Sequence, residues 1–376
     1  MDTNAENRLD AKQVDAFRRA LLDWYGENQR DLPWRSVRDP YAVWISEIML
    51  QQTRVDQVRP YYDRFMERFP TVAHLGKAPL EDVLKAWEGM GYYARARNLH
   101  RAARRVVDEH GGQIPDDPAR ISDLPGIGPY TAAAILSIAF GRDCPVVDGN
   151  VVRVLSRLFH LTDNPSSSAA RKRMDGHAGR LLARGRAGDF NQAMMELGAT
   201  ICTPRNPRCD ECPVNTFCEA LKLLPDPSVL PRKRPRAHRP HRHVAAGIVR
   251  RNDKVLIVRR PTDGLLGGLW EFPGGTVSKG VEGEKFLAEE MKNTMGIDIR
   301  VDRAVATLRH AFTHFEMTLQ GYSCSYLEGV ARHRDGNECR WVRFDDLGRF
   351  AFPRAYQRLI EASAMVREDR QPAGYA

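Results

Sequence analysis

No run of 18 apolar residues occurs in the 376-residue chain, so the sequence offers no membrane-spanning helix. The opening Met1-Asp2-Thr3-Asn4-Ala5-Glu6 lacks the apolar core of a signal peptide and the acid-poor character of a transit peptide. The expectation is therefore a soluble, intracellular protein. No internal repeat is visible. Cysteine is scarce, at seven residues, and in a reducing compartment so few thiols do not make a disulfide framework. Acid is in deficit, with 48 Asp and Glu against 57 Lys and Arg, and the resulting +9 suits a polyanionic partner or simply a basic surface. The length exceeds one ordinary core and implies two domains.

From about residue 10 to residue 224 the apolar residues recur at helical spacing, broken by Phe69-Pro70, Gly111-Gly112 and Pro125-Gly126. Residues 1–224 thus read as all-helical. Residues 225–242 are rich in proline and basic residues, as in Pro231-Arg232-Lys233-Arg234-Pro235-Arg236, and suit an extended linker. Residues 243–376 change to a compact α+β pattern. Strands are expected over His243 to Arg250 and Lys254 to Arg260 around a turn at Asn252-Asp253, a helix near Lys285 to Met295, and further strands near Ala304 to Leu327.

Four of the seven cysteines, Cys202, Cys209, Cys212 and Cys218, share one proline-punctuated stretch with the spacing C-x6-C-x2-C-x5-C. Four soft thiolates without histidine satisfy either a tetrahedral zinc or a [4Fe-4S] cluster. The single C-x-x-C pair and the long outer spacings tilt the reading to iron and sulfur, without settling it. Cys144, Cys324 and Cys339 stand alone and read as small packing residues.

Leu124-Pro125-Gly126-Ile127-Gly128-Pro129-Tyr130 sets Gly126 and Gly128 before a helix that starts at Pro129. Such a turn aims backbone N–H groups at a phosphate, or simply joins two helices. Beyond it, Pro145-Val146-Val147-Asp148-Gly149-Asn150 delivers a lone carboxylate at the start of another helix. The hairpin, the V-D-G-N segment and the cysteine spacing together resemble the helix-hairpin-helix superfamily of DNA glycosylases. Val43 to Thr53, Gly89-Met90-Gly91-Tyr92-Tyr93-Ala94-Arg95 and Phe190-Asn191-Gln192-Ala193-Met194-Met195 resemble its MutY branch of adenine DNA glycosylases.

That resemblance implies a [4Fe-4S] cluster on the four cysteines and removal of adenine mispaired with 8-oxoguanine or guanine in duplex DNA, by a monomer working in the cytoplasm. Breaking the N-glycosidic bond needs a proton for the departing purine and an anion for the sugar cation that remains. Glu47, with Val43 and Leu50 as helical neighbours, matches the general acid; Asp148, expected to stay ionised beside helix N–H dipoles, matches the sugar-stabilising carboxylate, supported by Asn150. Tyr130 stands where strand-cleaving relatives carry a Schiff-base lysine, so lyase chemistry is expected to be weak. Gln52 and Tyr92 match the residues that wedge into the duplex when the base is flipped out, and Leu32, Trp34 and Gln192 match the adenine pocket. Gly268 to Gly275 and Glu289 to Ile297 resemble a Nudix box with Asn293, Thr294 and Val281 where metal-binding acids belong, so a Nudix-like fold without hydrolase activity is expected. Phe312, Thr313 and His314 resemble the family loop, usually Phe-Ser-His, that touches 8-oxoguanine. A bifunctional pyrimidine glycosylase/lyase and a Nudix nucleotide hydrolase tethered to a DNA-binding module are the competing readings.

Overall fold

The computed structural model describes residues 9–232 and 239–368, with side chains to residue 365. Contacts divide it into two units, Met1–Gly76 with Arg101–Arg236 and Lys77–His100 with Ala237–Ala376. This differs from the sequence reading, in which residues 1–224 form one domain. The segment Lys77–His100 finds more partners in the C-terminal unit than among the helices that flank it in sequence.

The N-terminal part is helical: α1 (Ala11–Asn28), α2 (Pro40–Leu50), α3 (Val55–Arg68), α4 (Val72–Lys77), α5 (Leu80–Ala86), α6 (Ala94–His110), α7 (Pro118–Ser122), α8 (Pro129–Ile138), α9 (Gly149–Leu158), α10 (Ser168–Leu181), α11 (Ala187–Thr200) and α12 (Glu219–Leu223). Local chemistry sets many starts. Asp10 and Gln13 form a capping box on α1, Asp39 caps α2 ahead of Pro40, Ser167 caps α10, and Asp148 caps α9 by accepting the Val151 N–H. α1 lays one apolar stripe, including Phe17 and Leu21, against Val154, Met174, Phe190 and Leu197 of α9, α10 and α11. α2 is buried on every side from Tyr41 to Met49, as befits a central helix. The cysteine-bearing loop packs on the α1 core, where Phe217 meets Phe17 edge-on at 5.9 Å.

The expected linker proves partly structured. Pro227–Val229 form a 3-10 turn, Leu230 is buried, and its carbonyl accepts from Arg157 Nε at 3.0 Å. Residues 233–238 of that linker lie outside the described residues.

The C-terminal unit is a mixed sheet of β1 (His241–Arg251), β2 (Lys254–Arg259), β3 (Trp270–Glu271), β4 (Gly274–Thr276), β5 (Ile297–Ala311), β6 (Glu316–Gly329) and β7 (Cys339–Arg343). Strands run in the order β3-β2-β1-β6-β5, β1 and β6 are parallel, and β4 and β7 add to β1 and β2. Asn252 takes a left-handed φ of 55°, which closes the two-residue β1–β2 turn. α13 (Gly283–Glu290) belongs to the core on one face with Ala245, Val249 and Leu287, and α14 (Arg354–Glu368) to the core on the other with Ala246, Ile248 and Leu359.

A Cβ added to Gly274 would lie 2.0 Å from the Ala245 carbonyl oxygen, where only backbone movement gives relief. Gly274→Ala is expected to destabilise the C-terminal unit by about 2 kcal/mol or more. An unchanged urea midpoint would show that β1 and β4 can part at that crossing without cost.

Candidate active site

A cavity of about 640 Å³ in the helical unit is lined by Leu32, Trp34, Glu47, Tyr130, Asp148, Asn150 and Gln192, among others. Seven of the residues singled out in the sequence thus meet in one place, drawn from α2, α8, α9, α11 and the loop before α2. Trp34 is buried and packs edge-on against Tyr62 at 5.1 Å, so its ring serves the core as well as the cavity wall.

Glu47 is 5% exposed, and burial pushes its carboxyl up to about 7. The Tyr130 hydroxyl donates to Glu47 Oε2 at 2.5 Å and opposes that rise, as does Arg35, while Asp148 adds to it. Tyr130 itself is raised well above its ordinary range, first by burial and then by Glu47, so its proton stays on the hydroxyl. Asp148 accepts the Val151 N–H at 2.6 Å and Asn150 Nδ2 at 2.8 Å. The sequence suggests that helix N–H dipoles hold this carboxyl low; burial outweighs these donors and moves it upward. Asn191 fixes the approach to Asp148 by accepting the Val146 N–H and donating to the Cys144 carbonyl.

Glu196, Arg30 and Arg35 are among the charged residues of the same cavity that sequence reasoning missed. Glu196 is buried, and although burial would raise it, hydrogen bonds from Arg30 and Arg35 bring its carboxyl down to about 2. Arg35 Nη2 stands 2.6 Å and Arg30 Nε 2.7 Å from it. A signal existed: Glu196 lies four residues after Gln192, on the same face of α11, amid apolar neighbours.

Gly126 sits at φ 80° in the hairpin, a conformation that favours glycine, and Gly128 is the N-cap of α8. Both are exposed and stand outside the cavity. Gln52, just past α2, and Tyr92 are exposed with left-handed φ of 58° and 49°, which is uncommon for such side chains. In the C-terminal unit Thr313 and His314 are exposed at the tip between β5 and β6, with Phe312 stacked on Phe315 at 4.5 Å. The Thr313 hydroxyl lies 3.2 Å from Tyr92 Oη within that unit.

Arg157 Nη1 donates to Cys202 Sγ at 3.2 Å, the Val214 N–H meets the Cys212 sulfur, and the Ala220 and Leu221 N–H groups meet that of Cys218. Burial raises the thiols of Cys209, Cys212 and Cys218, so bare thiolates do not belong there, whereas thiolates bound to iron and fed by N–H donors do.

Three family models match the chain: HhH-GPD superfamily base excision DNA repair protein over 45–177, iron-sulfur binding domain of endonuclease III over 202–218, and NUDIX domain over 244–362. Adenine DNA glycosylase of Rattus norvegicus is 37% identical across 93% of this chain and 78% of its own length. That of Mus musculus is 37% identical across 96% and 80%, and that of Homo sapiens 38% across 85% and 68%. A solved thermostable thymine-DNA glycosylase is 33% identical with a TM-score of 0.51, covering 56% of this chain and 97% of that one.

Because Glu47 binds its proton more tightly folded than unfolded, the fold loses stability as pH rises from about 4.5 to about 7, by at most about 3.5 kcal/mol. Glu47→Gln removes that titration. It should gain on the wild type in urea unfolding between about pH 5 and about pH 8. A difference between the two proteins that does not change with pH would refute the shift.

Proposed function

The chain belongs to the adenine DNA glycosylase family of base-excision repair, with a [4Fe-4S] cluster as cofactor, and from that premise we propose that its substrate is adenine mispaired with 8-oxoguanine, or with guanine, in duplex DNA. The reading includes a monomeric enzyme working in the cytoplasm and a product that keeps its strand intact. The observation that carries the chemistry is a buried carboxyl raised to about 7 in the same cavity as a second, donor-rich carboxylate.

Glu47 donates its proton to a ring nitrogen of the flipped adenine, which turns the base into a neutral leaving group. The Tyr130 hydroxyl orients that carboxyl through its 2.5 Å hydrogen bond. Asp148 stabilises the oxocarbenium ion left on the sugar, held by Asn150 and the Val151 N–H. Water completes the hydrolysis and leaves an abasic site. Tyr130 has no amine and forms no imine, so the lyase alternative lacks its nucleophile. Leu32, Trp34 and Gln192 enclose the base, Gln52 and Tyr92 fill the gap it leaves, and the Gly126–Gly128 turn holds a phosphate. Cys202, Cys209, Cys212 and Cys218 hold the cluster, which when bound supplies four iron–thiolate bonds that fix the loop.

The C-terminal unit reads the base opposite. Its NUDIX relationship does not extend to hydrolysis: Glu290 is half-buried with its carboxyl raised by burial, and Asn293 and Thr294 offer no carboxylate for magnesium. Phe312, Thr313 and His314 present a ring, a hydroxyl and an imidazole from an exposed tip.

The direct test is release of free adenine from a duplex bearing adenine opposite 8-oxoguanine. Glu47→Gln should retain DNA binding and lose at least about a hundredfold in single-turnover excision. Wild-type excision should fall about tenfold per pH unit above about 7, as the proton leaves Glu47. Near-normal excision by the variant, or a flat profile through neutral pH, would remove Glu47 from the acid role. Thr313→Ala and His314→Ala should each cut the preference for 8-oxoguanine over guanine by roughly 5- to 150-fold while adenine is still released. Unaltered preference in both variants would mean that the tip does not read the lesion.

A further inference from the structure

The segment Lys77–His100 lies within the residues matched by the glycosylase model, yet its partners are those of the C-terminal unit. Trp270 Nε1 donates to Glu81 Oε1 at 2.9 Å. The Phe352 N–H donates to Glu88 Oε1 at 2.8 Å. Lys85 binds the other Glu88 oxygen and the Phe350 carbonyl, the latter at 3.1 Å. Arg97 donates to the carbonyls of Gly267 and Gly264 at 2.9 and 3.2 Å. Glu88 stands out because both of its oxygens are used and its side chain is 17% exposed, so the pair is shielded more than an ordinary surface salt bridge.

Within the segment this anchor reaches Tyr92 through few steps. Trp87, next to Glu88, is fully buried and donates from Nε1 to the Gly91 carbonyl at 3.1 Å. The Arg95 guanidinium lies 5.3 Å from the ring centres of both Trp87 and Tyr92, and Nη2 also reaches the Gly91 carbonyl at 3.3 Å. Tyr92 thus keeps its left-handed backbone and its 3.2 Å approach to Thr313 because the residues around it are themselves tied down.

We propose that Glu88 is a positioning residue for discrimination of the opposing base. By clamping Lys77–His100 to Phe350 and Phe352, it makes Tyr92 and the Phe312-Thr313-His314 tip one preassembled reading element. This rests on the reading of Tyr92 and that tip as the parts that meet the lesion. Glu88 does not line the cavity, and its removal acts by letting Tyr92 drift from Thr313.

The test uses the iron-loaded full chain, with single-turnover adenine excision measured at saturating enzyme opposite 8-oxoguanine and opposite guanine. Glu88→Ala should narrow the ratio of the two rates by about three- to thirtyfold. Glu88→Gln, which keeps an acceptor for the Phe352 N–H, should narrow it less. In a Tyr92→Ala background the further change Glu88→Ala should leave the ratio where it is, which a general loss of stability would not produce. Should Glu88→Ala fail to fold, Glu88→Gln and Lys85→Met carry the same comparison. A wild type that does not distinguish the two opposing bases overturns the underlying lesion reading and this proposal with it. A wild-type preference that the folded Glu88 and Lys85 variants share in full, or a Glu88→Ala effect undiminished without the Tyr92 ring, overturns this proposal alone.

Discussion

Arg153 is 8% exposed, and a guanidinium so far from water is tolerated only if oxygens meet it. They come from three directions: Asn150 Oδ1 at 2.8 Å, the Gly198 carbonyl at 2.6 Å and the Cys202 carbonyl at 2.7 Å. For these to coincide, the start of α9, the end of α11 and the first turn of the cysteine loop must stand in one register. Gly198 is what permits the approach, since a Cβ there would fall 2.7 Å from that of Asn150. One turn further along α9, fully buried Arg157 repeats the device with Cys202 Sγ and the carbonyls of Thr203 and Leu230. Asn150, held on its oxygen side, is left with its amide to give to Asp148. Asp148 and the cysteine loop are therefore two ends of one buried polar network.

Three of the carboxyls that line the cavity, Glu196, Asp148 and Glu47, differ in the donors around them. Glu196 receives two guanidinium groups and falls to about 2 in spite of its burial. Asp148 receives neutral N–H donors, which oppose burial without overcoming it. Glu47 receives one hydroxyl and rises to about 7. Burial pushes all three upward, most completely at Glu47, and the charge and number of the donors decide how far each is brought back. A single cavity thus contains a fixed anion that organises two arginines, a second carboxyl rich in donors, and a third that holds a proton near neutrality.

Much of this was legible in the sequence, for identifiable reasons. The hairpin, the V-D-G-N segment and the cysteine spacing are local patterns whose chemistry is carried by adjacent residues, and their geometry follows from caps, prolines and glycines. The turn at Asn252-Asp253 belongs to the same class. What escaped depends on distance along the chain. Arg30 and Arg35 meet Glu196 more than 160 residues away, and nothing local announces that pairing. Strands β3 and β4 are two and three residues long, too short for periodicity to register. β7 escaped as well, its side chains only half-buried except for exposed Arg343 and so without an alternating pattern. Asp148 was misjudged in its electrostatics because helix dipoles are visible in a sequence and the depth of a cavity is not.

The placement of Lys77–His100 alters what the boundary near residue 224 means. A chain ended there would retain every residue that lines the cavity, all of which precede it. It would also leave Glu81 without the Trp270 indole, Glu88 without the Phe352 N–H and Arg97 without the Gly264 and Gly267 carbonyls. A segment that loses these partners, with Lys85 still on Glu88, favours rearrangement, and Tyr92, strained in its backbone and packed on Arg95, sits in it. Any loss of discrimination in such a fragment would mix the absence of the β5–β6 tip with the displacement of Tyr92. Single substitutions at the tip and at the anchor separate the two, because a change at Thr313 or His314 leaves the Glu88 hydrogen bonds in place and a change at Glu88 leaves the tip side chains present.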